Sequence, residues 1–269
     1  MNVIVWCAFV IAGPQALLKP LPETESFRAD LAKIVDIRSA GNIALDGSLQ
    51  HDSVLDQYTY RETKTSILLD SKGKTKSTTI EVFDVIRSAE TGRVYRKPIS
   101  KNGVPVTQEL PAPARAVTPV AVSRLPAVRD PAAEERDIQA LYEIQAARSG
   151  AIDGHSVIAL TLRPNARYKA KTDLGKWQQH FVIRAWLTEE GHEVVRQESE
   201  VISDIPVVRP IQKGTMMKLE RRMIRDEVWI PVRTEFHAVG SFLGKGERGT
   251  FIREFSDFRK YVVDVELKP

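Results

Sequence analysis

From Tyr58 onward the apolar residues mostly fall on alternate positions, the period of a half-buried strand. "YTYRETKTSILLD" and "TTIEVFDVIRSA" flank a turn at Gly73, "GRVYRKPIS" supplies a third arm, and "KNGVPVT" turns back at Asn102-Gly103. This predicts an antiparallel meander. The strand pattern resumes with "LYEIQAARSGAI" and "HSVIALTLRP", which meet at Asp153-Gly154. It continues through "GKWQQHFVIRAWLTEEGHEVVRQESEV", a ribbon spanning residues 175–201. Next come "GTMMKLERRMIRD" and "EVWIPVRTEFHAV", meeting near Arg225-Asp226, and a last pair, "GTFIREFSDF" with "KYVVDVELKP". Ten to twelve strands are expected.

Two segments carry a helical pattern. In "PETESFRADLAKIVDIRSAG" the residues Phe27, Leu31, Ile34 and Val35 share one face, Thr24 or Ser26 can cap it, and Gly41 ends it. A shorter helix is expected from Ala132 to about Gln139, with Asp130 as cap and Pro131 at its first position. Between the two strand regions, residues 110–131 hold five prolines, which remove ladder donors and predict a loop or lid-like insert. The first 16 residues, "MNVIVWCAFVIAGPQA", form an apolar run ending in small residues and read as an export signal. Residues 17–269 then form one domain. Cys7, the single cysteine, leaves with the signal, so the mature chain has no disulfide or thiol chemistry.

Composition narrows the function classes. The net charge of +4 comes from basic and acidic residues mixed along the chain, which does not make a nucleic-acid surface. Motif-like stretches fail on context. "GKGERG", residues 244–249, has the letters of a dinucleotide loop but runs into the strand pattern "TFIREF" rather than a helix. "GKT", residues 73–75, has Leu68 where a phosphate loop needs glycine. Ser241 in "VGSFLG" lacks the nucleophile elbow. His51, His155, His180, His192 and His237 include no pair at metal-ligand spacing. No catalytic group, cofactor or metal is expected.

The remaining signal is apolar strand residues. In the ribbon, Phe181, Ile183 and Ala185 share one face, and Val182, Arg184 and Trp186 the other. Trp229, Met216, Leu219, Phe255 and Tyr60 lie on other strands. Such residues form either a filled core or the wall of a ligand cavity, and alternation is the same in both. The candidates for a cavity are Phe181, Ile183, Trp186, Met216, Leu219, Trp229, Phe255 and Tyr60.

The order of elements resembles the LolA/LolB-like superfamily of outer-membrane lipoprotein-sorting proteins. "HFVIRAWLTEEGHEVVRQE" is similar to a tryptophan-bearing ribbon of that family, "MMKLERRMIRDEVWIPVRTEF" to its "vWLP" strand pair, and "REFSDFRKY" to its closing strand. The resemblance implies a mainly β protein with a few helices (α+β): a half-open antiparallel β-barrel closed by helices. It also implies a periplasmic, monomeric, non-catalytic carrier whose apolar cavity holds a lipid or a lipoprotein acyl chain. "TYRET" is the loose counterpart of an early-strand arginine segment, which makes Arg61 the candidate lid contact. The alternative on the same fold is an envelope sensor or assembly factor that binds a protein partner.

Overall fold

Among the described residues, eleven strands join edge to edge into one antiparallel sheet, with two helices laid on part of one face. The computed structural model describes residues 58–70, 72–87, 94–106, 130–205, 211–239 and 248–260. The expected export signal, the helix at residues 24–41, most of the Pro-rich insert and residues 244–247 of "GKGERG" lie outside the described residues. The strands are β1 Tyr58–Leu69, β2 Thr75–Arg87, β3 Val94–Lys101, β4 Val104–Pro105, β5 Tyr142–Ile152 and β6 His155–Pro164. They continue as β7 Phe181–Thr188, β8 Val194–Val201, β9 Met216–Ile224, β10 Val228–Ala238 and β11 Arg248–Lys260. The helices are α1 Pro131–Leu141 and α2 Asp173–Gln178.

The spatial order is β4-β3-β2-β1-β11-β10-β9-β8-β7-β6-β5. Among the described residues the sheet is open, with β4 and β5 as its edges; it is mainly β as expected, and closure of the half-open barrel is not shown. Most neighbours are sequential hairpins, and their turns follow local chemistry. Asp153 and Gly154 both take positive φ, as do Asn102 and Gly103, the geometry a two-residue hairpin turn requires. Arg225 and Asp226 adopt it without a glycine. The exception is the seam between β1 and β11, which joins the two ends of the described chain. Residues 261–269, nearly all of the second arm of the expected last pair, lie outside the described residues. β11 runs through to Lys260, where Tyr58 pairs with it, and a register shift opposite Thr59–Arg61 absorbs the irregularity. Asp257, in that stretch, has φ 55°.

Asp130 caps α1 as expected, accepting hydrogen bonds from the backbone N–H groups of Ala132 and Ala133 at 3.0 and 3.1 Å. The helix passes directly into β5 at Tyr142. α2 was not expected: "DLGKWQ" is one and a half turns, too short for a 3.6-residue period to register. Its cap is Thr172, which accepts from the Gly175 N–H at 2.9 Å. The opening of the predicted ribbon is therefore helical, and Trp177 sits on α2.

One buried carboxylate ties the two helices together. Asp137 on α1 accepts from Tyr168 Oη (2.8 Å), Thr172 Oγ1 (2.6 Å), Thr172 N (2.7 Å) and Lys171 N (3.0 Å). Burial raises its pKa, but these hydrogen bonds outweigh burial and hold the carboxyl below its usual value. Gly175 lies against it. A Cβ there would meet the Asp137 carboxylate, 2.9 Å from Cγ, so this position has no room for a side chain. Tyr142 fixes the other end of α2. Its hydroxyl lies 2.8 Å from the Gln178 carbonyl and 2.9 Å from Gln178 Oε1.

The main core lies between these helices and the adjoining strands. Ile138 and Leu141 of α1 pack on Leu160 and Leu162 of β6 and on Phe181, Ile183, Ala185 and Leu187 of β7. A smaller cluster of Val157, Val195 and Trp229, with Trp186 and Met223, forms on the opposite face. The two valines of "EVVRQE" thus serve different faces: Val195 joins Trp186, and Val194 packs toward the helices.

Candidate ligand groove

The helix-bearing face continues across the sheet in rows of directly opposed residues. Ala185 opposes Gln197, which opposes Leu219, which opposes Thr234, which opposes Arg253, which opposes Lys64. One row lower, Ile183 opposes Ser199, then Met217, Phe236, Phe251 and Ser66. The helices cover the β5–β8 end of this face. From β8 to β1 the same face bears an open groove of about 160 Å³. That is below the roughly 300–1,000 Å³ of a pocket for a whole drug-sized ligand, and fits a portion of a chain.

The groove has two kinds of lining. Met217, Leu219, Phe236 and Phe251 supply apolar surface, with the two phenyl rings stacked at a 6.3 Å centroid distance. Gln197, Ser199 and Thr234 add a polar strip whose side chains are nearly inaccessible to solvent. Gln197 Nε2 donates to Ser199 Oγ at 3.4 Å. Lys64 and Arg253 close the β1–β11 end.

Behind that end lies a buried charge cluster. Glu62 has no exposed surface and is ion-paired with Arg253, whose Nε donates to Glu62 Oε1 at 2.6 Å. Arg96 Nε stands 3.0 Å from Oε2, and Lys64 Nζ 4.0 Å from Oε1. Three cations thus surround one carboxylate. Burial lowers the pKa of Lys64, and Arg96 and Arg253 act in the same direction against Glu62 and Glu81. Burial also lowers that of Arg253; a guanidinium remains charged regardless. Lys64 Nζ sits 5.0 Å above the Phe83 ring, and Arg253 Cζ 5.7 Å from the Phe255 ring.

Of the eight cavity candidates, Leu219 lines this groove. Phe181 and Ile183 point into the filled core under the helices, with the Trp177 ring 5.8 Å from that of Phe181. Trp186 and Trp229 are in the opposite-face cluster, and Arg196 lies 4.9 Å over the Trp186 ring. Met216 pairs with Glu200 and His237, one position out of phase with the groove residue Met217. Phe255 and Tyr60 share the groove's face but stand beyond it, their rings 5.7 Å apart. Arg61 is half-exposed, 3.1 Å from both Asp84 and Asp257. Missed from sequence were Lys64, Phe236, Phe251 and Arg253. The charged pair gave no local signal, because Glu62 and Arg253 are 191 residues apart.

His237 is paired with Glu235, and its Nδ1 is 2.9 Å from Thr250 Oγ1. His180 Nδ1 is 2.8 Å from Ser203 Oγ, at the surface. Among the described residues no group of three His, Cys, Asp or Glu could hold a metal ion, and no helix is long and apolar enough to cross a membrane.

No protein-family profile matches the chain, and no curated protein does. Solved structures similar to it include a DUF1329 family protein from Desulfovibrio piger, at 14% identity and TM-score 0.31, covering 90% of this chain and 94% of that one. An outer membrane lipoprotein-sorting protein domain from Vibrio parahaemolyticus is similar at 12% identity and TM-score 0.26, over 78% and 86%. The Pseudomonas aeruginosa MucA/MucB complex is similar at 9% identity and TM-score 0.21, over 77% and 95%.

Proposed function

We propose that this protein is a non-catalytic, periplasmic carrier that shelters part of an acyl chain, from a lipid or a lipoprotein, in the groove between β8 and β1. The observation supporting this is the unfilled apolar surface of Met217, Leu219, Phe236 and Phe251 on a face whose other half is packed solid by helices. A chain segment placed there leaves water at about 0.8 kcal/mol per methylene, with no reacting group required.

The test is a titration with N-phenylnaphthylamine, a neutral probe that fluoresces in apolar surroundings. The folded protein should bind it with a Kd of about 10 μM, roughly −7 kcal/mol. Tetradecanol should displace it, and Phe251→Ser, at a partly exposed groove position, should weaken binding at least several-fold with the fold retained. Probe binding that appears only on unfolding would refute the carrier reading and favour a role as a sensor or assembly factor that binds a protein partner.

A further inference from the structure

We propose that the groove selects an amphiphile with an anionic head, a long-chain carboxylate, seating the head between Lys64 and Arg253 and the chain along Phe251, Phe236 and Leu219. The proposal deepens the acyl-chain reading above and rests on it. The first support is charge. Arg96, Arg253 and Lys64 share a single buried carboxylate, Glu62, so these four groups carry a surplus of two positive charges at the groove's end. The neighbouring carboxylate Glu81 does not remove the surplus, because it is paired with Lys101 at 3.3 Å.

The second support is an unmet donor. Arg253 is 7% exposed and lines the groove, and its Nη1 has no hydrogen-bond partner among the described residues. Its Nε and Nη2 are engaged by Glu62. Leaving a buried guanidinium donor unsatisfied is costly, and a carboxylate oxygen satisfies it with a charge-assisted hydrogen bond.

The third support is polarity along the groove. Both cations stand at its β1–β11 end, and Phe251, Phe236 and Leu219 succeed one another away from them toward β8. A single-chain carboxylate has the same order of parts. Lys218 and Glu235 also border the groove, but alternation puts their side chains on the other face, where they carry opposite charges.

The experiment displaces bound N-phenylnaphthylamine from the full chain at pH 8 with tetradecanoate and, separately, with tetradecanol. Tetradecanoate should act at an approximately tenfold lower concentration. Lys64→Met should reduce that preference to threefold or less, and Lys64→Arg should restore it. The Lys64 side chain is partly exposed, so neither change removes a core residue. Equal potency of the two ligands on the wild type would overturn the head-group proposal and leave the carrier reading standing. A full tenfold preference in folded Lys64→Met would also overturn it. Displacement by neither ligand would instead remove the acyl-chain reading itself.

Discussion

A single methyl group at Gly175 probes how firmly the helical cap is bound to the sheet. The added Cβ would meet the Asp137 carboxylate, 2.9 Å from Cγ, and would lie 3.1 Å from Ala170 Cβ. Asp137 cannot swing aside without giving up its bonds to Tyr168, Lys171 and Thr172, and α1 is held behind it by Ile138 and Leu141 in the core. Overpacking of this kind costs about 1–3 kcal/mol. Weakened hydrogen bonds to a buried charged acceptor add about 1.5–3 kcal/mol. Alanine's better helix propensity returns about 1 kcal/mol at most. Gly175→Ala should therefore lose about 2–5 kcal/mol, a fall in Tm of roughly 5–20 °C. Urea denaturation, with unchanged slope, measures it. Gly191→Ala is the control, since a Cβ there meets nothing closer than 3.7 Å.

The pH dependence has a defined sign. Asp137's folded pKa lies below the ordinary 3.8, so its stabilisation is complete above about pH 4 and is lost as pH falls through the folded value. The gap between wild type and Gly175→Ala should accordingly narrow below pH 4, leaving only the steric part. A Gly175→Ala protein as stable as the wild type would refute the reasoning.

Two further outcomes separate the faces of the sheet and the nature of the charge cluster. Trp186→Ala should cost about 2–4 kcal/mol by melting and leave N-phenylnaphthylamine affinity unchanged; a several-fold change in affinity would contradict its place on the face opposite the groove. Glu62→Gln leaves the buried Arg253 and the half-buried Arg96 without their carboxylate and should cost about 3–5 kcal/mol, whereas Glu62→Gln combined with Arg253→Met should cost less than the sum of the two single changes; strict additivity in denaturant titrations would mean that the two residues act independently.

The strands were legible wherever the information was local. Asp153-Gly154 and Asn102-Gly103 announce their turns because few residue pairs accept two successive left-handed conformations. Asp130-Pro131 announces α1 through its cap. What was not legible depends on distant partners. The alternation in "HFVIRAWLT" sorts Phe181 from Trp186 but does not say which face the helices cover. Gln197, Ser199 and Thr234 look like solvent-facing positions in the pattern, and only the neighbouring strands show that they lie in a groove wall. Glu62 reads as one more polar residue of "YRETK", yet it is fully buried, because Arg253 and Arg96 reach it from two other strands. Barrel closure was beyond the sequence: hairpin signals state how strands pair in sequence and are silent on whether the edge strands of the sheet, here β4 and β5, meet.

The place of β11 in the sheet also bears on how the chain is made. The C-terminal strand of the described chain is an interior one, with β1 on one side and β10 on the other. During synthesis the meander β1–β3 therefore carries a bare hydrogen-bonding edge on β1 until residues beyond 248 have emerged. The hairpins of β5–β10 can meanwhile form from local contacts, but joining them to the meander is the slow, high-contact-order event. Before that event the chain is two separate half-sheets, each with an unpaired edge open to intermolecular pairing. Both the groove and the Glu62 cluster span the seam, so ligand binding itself reports that the last strand has been inserted.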